Sequence, residues 1–544
     1  MTVPTSTTHL FVTAAPALGH IKPLCVFACK LLIAYRRVRS PSSLIITMPV
    51  AGSNIKVLMD KEVERCLHSE NESLRENFHI ISVGGEGIPV MLWQHLIQNF
   101  TPFYTSLHTC APIQCQATGQ VYTVDQSPTV VIADYHIVTD ELQFFMLSAL
   151  TLIRQLNEQD QKKIPILTWN CGTLGPTMRY MGPERLGGIG DLEAKAKELA
   201  EKTGISFNEA EAQCFQPQKG EVIKVPGLPP MYDYEFYAQS EILPLEILAI
   251  QIMLHKQAYQ MFHDFEGIIS LSNTAFEPEA CSASREWYAE RNKSCYIAGP
   301  SLPDDLFDDS EGLKAIDLSP EEAEVMTFID NVYKTSGKHS MLYIAFGTLF
   351  PPSSPKLWKV IEVVLDLKIP FLVVYGAPKF GEYGAMPDHI AEKMNASPER
   401  ALICKWAPQQ AVLAHKATGW FLTHCGHNGV FEAISQAVPM IGWPLDAEQP
   451  GTAALIASNL DIAFELIEVR SGLGLKPMYR GCQPKGTMEA LQEEVRTVLQ
   501  EAFHGKEGLR KRKNIQELRE KIKDGLKENG DTTKDLMRFI EEYL

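Results

Sequence analysis

His20 and Asp134 are two residues whose types and positions suit them to move a proton. His20 comes soon after the predicted strand 10–13, at the head of a predicted helix. The ordinary pKa of an imidazole is about 6.5, so a neutral His20 can act as a general base near pH 7. Asp134 directly follows the predicted strand 129–133 and can accept the imidazole N–H, as the third group of a catalytic triad does. Asp140, on the following helix, is a second candidate for this orienting role.

A turn rich in polar residues, His424–Gly429, has the features of an anion-binding site. It follows the predicted strand 419–423 and leads into a predicted helix, 430–436. The first turn of a helix leaves backbone N–H groups without partners and carries partial positive charge, which suits phosphate groups. Gly426 and Gly429 have no Cβ, so the backbone there can approach a diphosphate closely.

Residues on either side of this turn have the chemistry to bind a nucleoside and a sugar. Trp406 follows a predicted strand, where a flat aromatic ring can stack on a base, although it is also a candidate core residue. Glu432 lies one helical turn beyond the glycines and can accept hydrogen bonds from ribose hydroxyls. Trp443, with Glu448 and Gln449, offers an apolar surface and polar groups for the hydroxyls of a sugar.

Short β-rich runs alternate with helical stretches along the chain, which is typical of parallel sheets covered by helices. The first series of predicted strands covers 10–13, 44–47, 79–83, 129–133 and 164–168. The second series covers 342–346, 371–375, 401–404, 419–423 and 439–442. Since 544 residues are too many for one core, the pattern predicts two α/β domains.

The predicted domain boundaries follow from shifts in composition. Residues 1–300 form the first domain and 320–515 the second, joined by an acidic, turn-rich linker, 301–319. Residues 516–544 are predicted to form a C-terminal helix that packs back on the first domain. An irregular segment of the first domain, 175–238, is interpreted as a lid or pocket wall, with a surface insertion as the alternative.

Composition argues against several classes of protein. The net charge of −16 and the pI near 5.5 argue against a nucleic-acid-binding protein, because such proteins present a basic face. The 12 cysteines show no zinc-binding spacing and are typical of reduced thiols in the cytosol. No apolar run approaches the roughly 18 residues of a membrane span. The sequence therefore predicts a cytoplasmic protein without a transmembrane segment.

Motifs within the segment 406–449 resemble those of a known family. In order, they are WAPQ, VLAH, THCG, NG, EA, VPM, WP and a final acid–Gln pair. This run is similar to the nucleotide-sugar signature of the UDP-dependent glycosyltransferases of family 1. Further similar motifs follow the expected order at Gly19-His20, PGLP (226–229), Asn273-Thr274, Gly299-Pro300 and Phe346-Gly347-Thr348. The resemblance implies an α/β protein of the GT-B fold, with two Rossmann-like parallel-sheet domains facing each other across a cleft.

The resemblance also implies the site residues and the co-substrate. A UDP-sugar would contact Gly347, Thr348, Trp406, Ala407, Gln409, His424, Gly426, His427, Asn428, Gly429, Glu432, Trp443, Glu448 and Gln449. Within this set, Trp406 would stack on uracil, and Gln409 and Glu432 would hold the uridine end. The diphosphate would lie at the turn 424–429 with Thr348, and the last three residues would face the sugar.

Three residues depart from the pattern of the plant enzymes, and all lie near the phosphate or the sugar. His427 stands where the plant members usually have Trp, Asp446 where a bulky apolar residue is common, and Glu448 where Asp is usual. These departures concern the donor sugar rather than the UDP. By family analogy, Gln449 favours glucose over galactose. The resemblance is therefore to a fungal or plant-like small-molecule glucosyltransferase.

The reaction expected from this resemblance is a single displacement at the anomeric carbon with inversion of configuration. His20 would remove the proton of the acceptor hydroxyl, oriented by Asp134. The helix that begins near Gly426 and the side chain of His424 would meet the charge of the departing UDP. We expect no metal or other cofactor, since no Asp-x-Asp triplet occurs in the chain.

The acceptor is expected to bind in the first domain, in an apolar pocket. Candidate lining residues, each of which is also a candidate core residue, are Trp93, Phe103, Phe144 and Met178. Such a pocket indicates a hydrophobic hydroxyl compound such as a phenolic, flavonoid, terpenoid or lipid. The alternatives are a UDP-sugar enzyme that acts on a lipid or glycan, a UDP-sugar epimerase, or a catalytically silent nucleotide-sugar-binding protein.

Overall fold

The computed structural model describes residues 7–39, 42–67, 69–85, 89–135, 145–215, 219–239, 245–307, 318–348, 350–376 and 384–544. The strands of the first domain are β1 (Thr7–Thr13), β2 (Ser43–Val50), β3 (Phe78–Ser82), β4 (Ile113–Gln114), β5 (Val121–Tyr122), β6 (Val130–Asp134), β7 (Ile166–Asn170), β8 (Val222–Ile223), β9 (Met231–Tyr232), β10 (Gly267–Ser270) and β11 (Ser294–Ile297). Those of the second domain are β12 (Met341–Ala345), β13 (Phe371–Val374), β14 (Ala401–Cys404), β15 (Thr418–Thr423), β16 (Met440–Gly442) and β17 (Ala463–Glu465).

The α-helices lie between and after these strands. In chain order they are α1 (Leu18–Arg39), α2 (Ser53–Cys66), α3 (Pro89–His108), α4 (Phe145–Gln159), α5 (Leu174–Met181), α6 (Leu192–Thr203), α7 (Phe207–Phe215), α8 (Leu245–Asp264), α9 (Pro278–Ala289), α10 (Pro320–Ser336), α11 (Ser354–Asp366), α12 (Asp388–Asn395), α13 (Gln409–Ala414), α14 (His427–Ser435), α15 (Gln449–Ala454), α16 (Met488–His504), α17 (Lys506–Gly525) and α18 (Asp531–Tyr543).

The first domain is built on a seven-stranded sheet with the order β11-β10-β7-β6-β1-β2-β3. All neighbouring strands in it are parallel. The chain adds β2 and β3 on one side of β1 and then returns to add β6 on the other side. In a doubly wound sheet of this kind, the loops after the two central strands diverge and leave a crevice at their carboxyl ends. In this domain the crevice lies between the ends of β1 and β6.

The second domain repeats the arrangement with six parallel strands in the order β14-β13-β12-β15-β16-β17. Here the direction of strand addition reverses between β12 and β15, which pair in register from Leu342 opposite Trp420 to Ala345 opposite Thr423. The predicted fold class, two Rossmann-like parallel-sheet domains, is confirmed. Each domain therefore has one crevice at a reversal point, and those two points are where ligands are expected.

Each sheet is covered on both faces, and this explains why its strands are continuous apolar runs rather than alternating ones. On β1, Leu10 and Val12 pack with Leu24 of α1, while Phe11 points to the other face. The ring of Phe11 lies 5.2 Å from that of Tyr104 in α3, between ring centroids. Strands buried on both faces hold the loops at their ends in fixed positions, which a site built on those loops requires.

Helix α1 shows that length and apolar composition alone do not identify a membrane-spanning helix. Among the described residues, it is the one helix long and apolar enough to cross a membrane, with 22 residues and a mean hydropathy of 1.4 over its apolar window. In this fold, 61% of that window is buried inside the protein. Its apolar residues pack against β1, β2 and α18. The predicted cytoplasmic location stays a prediction.

The C-terminal part of the chain differs from the sequence prediction in one respect. The single helix predicted over 516–544 is two helices, α17 and α18, because Gly530 caps the start of the second. Helix α18 packs on the first domain: Asp535 Oδ2 accepts a hydrogen bond from the backbone N–H of Ile297 at 2.7 Å. The ring of Phe539 lies 5.4 Å from that of Tyr296, between centroids.

Candidate active site

His20 and Asp134 meet at the reversal point of the first sheet. Asp134 is the last residue of β6, and the neighbouring Ala133 pairs with Thr13 at the end of β1. The loop after β1 leads into α1, whose third residue is His20. As a result, Nδ1 of His20 lies 2.7 Å from Oδ2 of Asp134. The carboxylate is fully buried, and the same oxygen accepts the backbone N–H of Ala15 at 3.2 Å.

This contact determines which ring nitrogen of His20 can act as a base. A carboxylate can only accept, so Nδ1 carries the proton of the neutral ring and Nε2 keeps its lone pair. Burial lowers the pKa of His20, while the electrostatic interactions with Cys171 and Asp134 raise it. The net result is a pKa well above the ordinary value for histidine.

Cys171 is a member of this cluster that sequence reasoning missed. Its Sγ lies 3.2 Å from Nδ1 of His20, and burial raises the pKa of its thiol. Cys171 directly follows β7, which is the neighbour of β6 in the sheet. The signal that could have found it is therefore positional, because residues that follow adjacent parallel strands reach the same edge of a sheet.

A histidine packed against two glycines occupies the reversal point of the second sheet. Gly347 follows β12 with a φ of 72°, and His424 follows β15. A Cβ on Gly347 would lie 2.9 Å from Nε2 of His424, and one on Gly426 would lie 2.5 Å from the same atom. These two glycines therefore make room for the imidazole ring. Thr348, the next residue after Gly347, is half-buried.

His424 is neutral in this site because burial lowers its pKa to about 4. Its Nδ1 is buried and has no hydrogen-bond partner among the described residues. A neutral imidazole can donate one hydrogen bond without adding a full charge.

Helix α14 begins beside the head of α1, across the cleft between the domains. Gly426 is its N-cap residue, and Asn428 in its first turn donates from Nδ2 to the backbone carbonyl of Gly19 at 2.7 Å. Gly429, also in the first turn, is buried. The N–H groups and partial positive charge of this helix end thus lie close to His20.

The side chain of His427 is placed in the interface between the domains. It is buried, its Nδ1 lies 3.3 Å from Oγ1 of Thr173, and its ring packs 4.7 Å from that of Phe431. Burial lowers the pKa of His427 to about 4, so the ring is neutral. In this structure its side chain therefore contacts the first domain, and its backbone forms the start of α14.

An exposed indole follows β14, and a carboxylate of α14 is hydrogen-bonded to the helix that comes next in the chain, α13. The side chain of Trp406 is 52% exposed, and its N–H donates to Glu322 at 3.2 Å. Glu432 accepts from Gln409 at 2.6 Å and from Gln410 at 2.8 Å, one oxygen each. Gln410 was not among the predicted site residues, although it is adjacent to one that was.

This arrangement holds the Glu432 carboxylate in a defined orientation. The Tyr343 hydroxyl donates to Oε1 of Gln409 at 3.1 Å, which fixes the amide that in turn contacts Glu432. Ala407, which follows Trp406, is buried. An exposed aromatic surface suits a base, and an oriented acceptor suits the hydroxyls of a ribose.

Trp443 does not face the cleft, so the prediction that its ring contacts the sugar is wrong. The side chain has no accessible surface, and its ring packs edge-on against Phe346 with centroids 5.1 Å apart. It follows β16, whose two faces are both covered, and its backbone N–H continues the sheet by donating to Thr423 at 2.8 Å. The tryptophan is a core residue of the second domain.

Glu448 and Gln449 occupy the loop that leads into α15. Oε1 of Gln449 accepts the backbone N–H groups of Leu445 at 2.9 Å and Asp446 at 3.2 Å, which shapes this loop. Burial raises the pKa of Glu448, and the nearby charge of His20 lowers it. Burial also raises the pKa of Asp446. The Glu448 carboxyl group therefore lies close enough to His20 to interact with it, and Asp446 lies near Glu448.

The predicted acceptor pocket is corrected at two positions. Phe103 and Met178 are 6% and 2% exposed, and both belong to hydrophobic cores. Aromatic and sulfur-containing side chains at helical spacing commonly fill the space between a helix and a sheet. Phe103 and Met178 therefore have the alternative role named above, that of core residues. The side chain of Trp93 and the whole of Phe144 lie outside the described residues.

Tyrosines that were not among the predicted site residues lie near the loop that precedes α15. The Tyr180 hydroxyl donates to the backbone carbonyl of Ala447 at 3.1 Å, across the domain interface. The ring of Tyr237 packs edge-on against Tyr180, with centroids 6.4 Å apart, and its buried hydroxyl has no partner among the described residues. Tyr135 directly follows Asp134 and is buried.

Comparisons with known proteins agree with this geometry. The family described as "UDP-glucoronosyl and UDP-glucosyl transferase" matches residues 253–466. A UDP-glycosyltransferase of Hericium erinaceus, eriJ, is 33% identical over 320 residues, which are 57% of this chain and 59% of that protein. The chain thus spans less than two thirds of that relative's length.

Solved structures match over nearly the whole chain. UGT71G1 of Medicago truncatula, complexed with UDP-glucose, has a TM-score of 0.66 at 16% identity and covers 100% of both chains. UGT2 of Phytolacca americana, complexed with UDP-2fluoro-glucose and pterostilbene, has a TM-score of 0.62 at 20% identity and covers 98% of this chain and 99% of that one. The matched segment and the sequence relative show that this chain is similar to UDP-glycosyltransferases, and the shared two-domain architecture is that of the GT-B fold.

Proposed function

We propose that the protein transfers a sugar, with glucose as the favoured one, from a UDP-sugar to a hydroxyl group of a hydrophobic small molecule, with inversion of configuration. The observation that carries this proposal is the position of the His20–Asp134 pair, 2.7 Å between Nδ1 and Oδ2, opposite the start of α14. A base and an anion-binding helix end thus face each other across one cleft. A displacement in which one oxygen attacks and a diphosphate leaves needs this pairing.

In the proposed reaction, Nε2 of His20 takes the proton of the acceptor hydroxyl while its oxygen attacks the anomeric carbon. UDP leaves from the opposite face of the sugar. The negative charge that develops on the diphosphate is met by the backbone N–H groups at the start of α14 and by the neutral side chain of His424. Asp134 holds the ring in the required tautomer and stabilises the imidazolium that forms. No step in this scheme requires a metal.

The uridine end of the donor is proposed to lie at β14 and α13. The exposed ring of Trp406 would stack on uracil, and Glu432, held by Gln409 and Gln410, would accept hydrogen bonds from the ribose hydroxyls. The exposure of Trp406 and the two hydrogen bonds that orient Glu432 support this assignment, because an exposed indole adds nothing to the core.

The preference for a glucose donor rests on the sugar end of the cleft. Glu448 lies near His20 and Asp446 lies near Glu448, and burial raises the pKa of both carboxyl groups. Such carboxyl groups exchange hydrogen bonds with the hydroxyls of a neutral sugar, whereas a uronic acid would bring a further carboxylate into a site where burial already disfavours negative charge. This favours a neutral hexose over a uronic acid as the sugar that is transferred.

The acceptor is proposed to be a phenolic, flavonoid, terpenoid or lipid hydroxyl compound that enters beside Tyr135, Tyr180 and Tyr237. Aromatic side chains with hydroxyl groups present an apolar surface with polar tips. The small molecule bound with a UDP-sugar analogue in the Phytolacca americana structure supports an acceptor of this size class. An acceptor on a lipid or glycan is the second candidate within the same reaction.

A donor-by-acceptor screen tests the proposal, with UDP release and product mass as the two measurements. We expect glucosylated product with at least one hydroxylated aromatic compound, and loss of transfer by about 10²–10⁴-fold in a His20→Ala variant. UDP binding should persist in that variant. Unchanged transfer by His20→Ala would contradict the mechanism. UDP binding without transfer to any acceptor would instead support a silent binding protein, and release of free epimerised sugar would support an epimerase.

A further inference from the structure

His20, Asp134 and Cys171 bring three different donor atoms to one place. Nδ1 of His20 lies 2.7 Å from Oδ2 of Asp134 and 3.2 Å from Sγ of Cys171. All three atoms lie within 4.8 Å of one another, and no second group of three His, Cys, Asp or Glu residues in the described ranges has this geometry. The proposed reaction uses the histidine and the aspartate and leaves the thiol without a role.

The three groups are the ligand types that bind zinc. Zn²⁺ takes imidazole nitrogen, carboxylate oxygen and thiolate sulfur at about 2.0–2.3 Å, and tetrahedral geometry then separates donor atoms by about 3.3–3.8 Å. The two distances from Nδ1 of His20 are shorter than this range, and the third pair of atoms lies within 4.8 Å. Small rotations of the side chains of His20 and Cys171 would reach it. A fourth position would remain for water.

Charge balance also favours such a site. A thiol that binds zinc releases its proton, so Cys171 would become a thiolate. The thiolate and the Asp134 carboxylate then supply two negative charges against the two positive charges of the cation. A buried group of ligands thus becomes neutral overall, which removes the cost of an unbalanced charge in a water-poor site.

We propose that a thiophilic divalent cation, with Zn²⁺ as the type case, binds Nδ1 of His20, Oδ2 of Asp134 and Sγ of Cys171 and thereby switches the enzyme off. His20 can offer the Nδ1 lone pair only in its other tautomer, so the proton on Nδ1 moves to Nε2. From the neutral ring, binding of one Zn²⁺ therefore releases one proton, the one from the thiol. The protonated Nε2 can no longer take the acceptor proton. The binding part of this proposal stands on the geometry alone, and the inhibition rests on the proposed role of His20.

Cobalt provides a direct test of binding, since Co²⁺ replaces Zn²⁺ and a cobalt–thiolate bond has a charge-transfer band in the near ultraviolet. We expect the full-length protein to bind one Co²⁺ per chain with such a band, and Zn²⁺ to remove it. The Cys171→Ser and Cys171→Ala variants should lack the band. Cys482→Ser, which removes an exposed cysteine, is the matched control and should keep it. A band that is absent from the unaltered protein, or that survives in both Cys171 variants, would overturn the proposal.

Inhibition is measured separately, each variant being compared with its own activity in the absence of zinc. Saturating Zn²⁺ should lower kcat at least 10-fold in the unaltered protein and in Cys482→Ser, and less than 2-fold in Cys171→Ser (~1.4 kcal/mol for each factor of 10). UDP affinity by calorimetry should stay within about 2-fold. Binding should tighten as pH rises, because protons leave. Equal inhibition of the Cys171→Ser variant would refute the site as the cause. A cobalt band without loss of kcat would refute the inhibitory step and count against His20 as the base.

Discussion

The side-chain amide of Asn428 donates a hydrogen bond to the backbone carbonyl of Gly19, across the cleft, at 2.7 Å. Gly19 immediately precedes His20, and Asn428 lies in the first turn of α14. One hydrogen bond thus connects the start of the helix that carries the proposed base to the start of the helix proposed to bind the diphosphate. The relative position of these two helix ends determines the distance over which the sugar would be transferred.

Replacing Asn428 by alanine should reduce transfer more than it reduces stability. Loss of one hydrogen bond costs about 0.5–1.5 kcal/mol, and misplacement of the two helix ends adds to the barrier. We expect kcat/KM to fall by about 10–100-fold with a small change in Tm. Asn459→Ala is the matched control, because Asn459 makes another interdomain hydrogen bond, to the carbonyl of Gly227 at 2.6 Å. Equal losses of activity in the two variants would show that the effect is one of general domain contact.

Two tryptophans of the segment 406–449 should respond in opposite ways to alanine substitution. Trp406 is 52% exposed, so Trp406→Ala should leave Tm nearly unchanged and weaken UDP binding. Stacking of a base on an aromatic ring contributes about 1–3 kcal/mol, or roughly 5–150-fold in Kd. Trp443 has no accessible surface, so Trp443→Ala should cost about 3–5 kcal/mol of unfolding free energy. Calorimetric titration and thermal unfolding of both variants distinguish the roles, and a stable Trp443→Ala protein would contradict the core assignment.

The activity should rise with pH through the pKa of His20. The base must be neutral to take a proton, and the pKa of His20 lies well above its ordinary value. kcat/KM should therefore fall as the pH drops below that pKa. Asp134→Asn removes the neighbouring charge, so the apparent pKa should move lower while the rate falls by about 10²–10⁴-fold. A profile whose acid limb is the same in Asp134→Asn would argue against His20 as the titrating base.

His20 should also contribute to the stability of the folded protein, and this contribution should fall as the pH rises. Because the folded pKa of His20 is raised, its protonated form stabilises the fold below the unfolded pKa, about 6.5, and this contribution disappears as pH rises through the folded pKa. The difference in Tm between the unaltered protein and His20→Gln should thus shrink as the pH rises above the unfolded pKa, about 6.5. A difference that grows with pH would contradict the direction of the shift.

Gly426→Ala should weaken UDP binding through His424 rather than through the backbone. A Cβ at position 426 would lie 2.5 Å from Nε2 of His424, so the ring must move. The double variant Gly426→Ala/His424→Ala removes the ring, and in it the alanine at 426 should cost little relative to His424→Ala alone. Coupling of this kind is measured by a double-mutant cycle on the Kd for UDP. Additive losses would show that Gly426 is required for another reason.

The part of this site that could be predicted from the sequence is the part that strand order positions. The approach of His20 and Asp134 follows from topology, because both stand after strands that flank the reversal point of a parallel sheet. The turn 424–429 was recognisable for a similar reason. Cys171 has the same positional signal, but it became evident only once β7 was seen to be the neighbour of β6.

Side-chain direction was the part that sequence reasoning could not provide. Trp406 and Trp443 both follow strands at the same edge of the second sheet, yet one is exposed and the other is fully buried. Phe103 and Met178 fill cores for the same reason, since an apolar helix face that covers a sheet and one that lines a pocket have the same sequence pattern. Strands β10, β11 and β17 were not predicted.

The return of α18 to the first domain has a mechanical consequence. The backbone passes from the first domain to the second after β11 and passes back between α17 and α18, so two covalent connections join the domains. Two connections define an axis, and rotation about that axis is the motion that stretches neither of them. Release of a product held between the domains should therefore proceed by swinging on this axis, with the contacts near Asn428 separating and the anchorage of Phe539 on Tyr296 remaining in place.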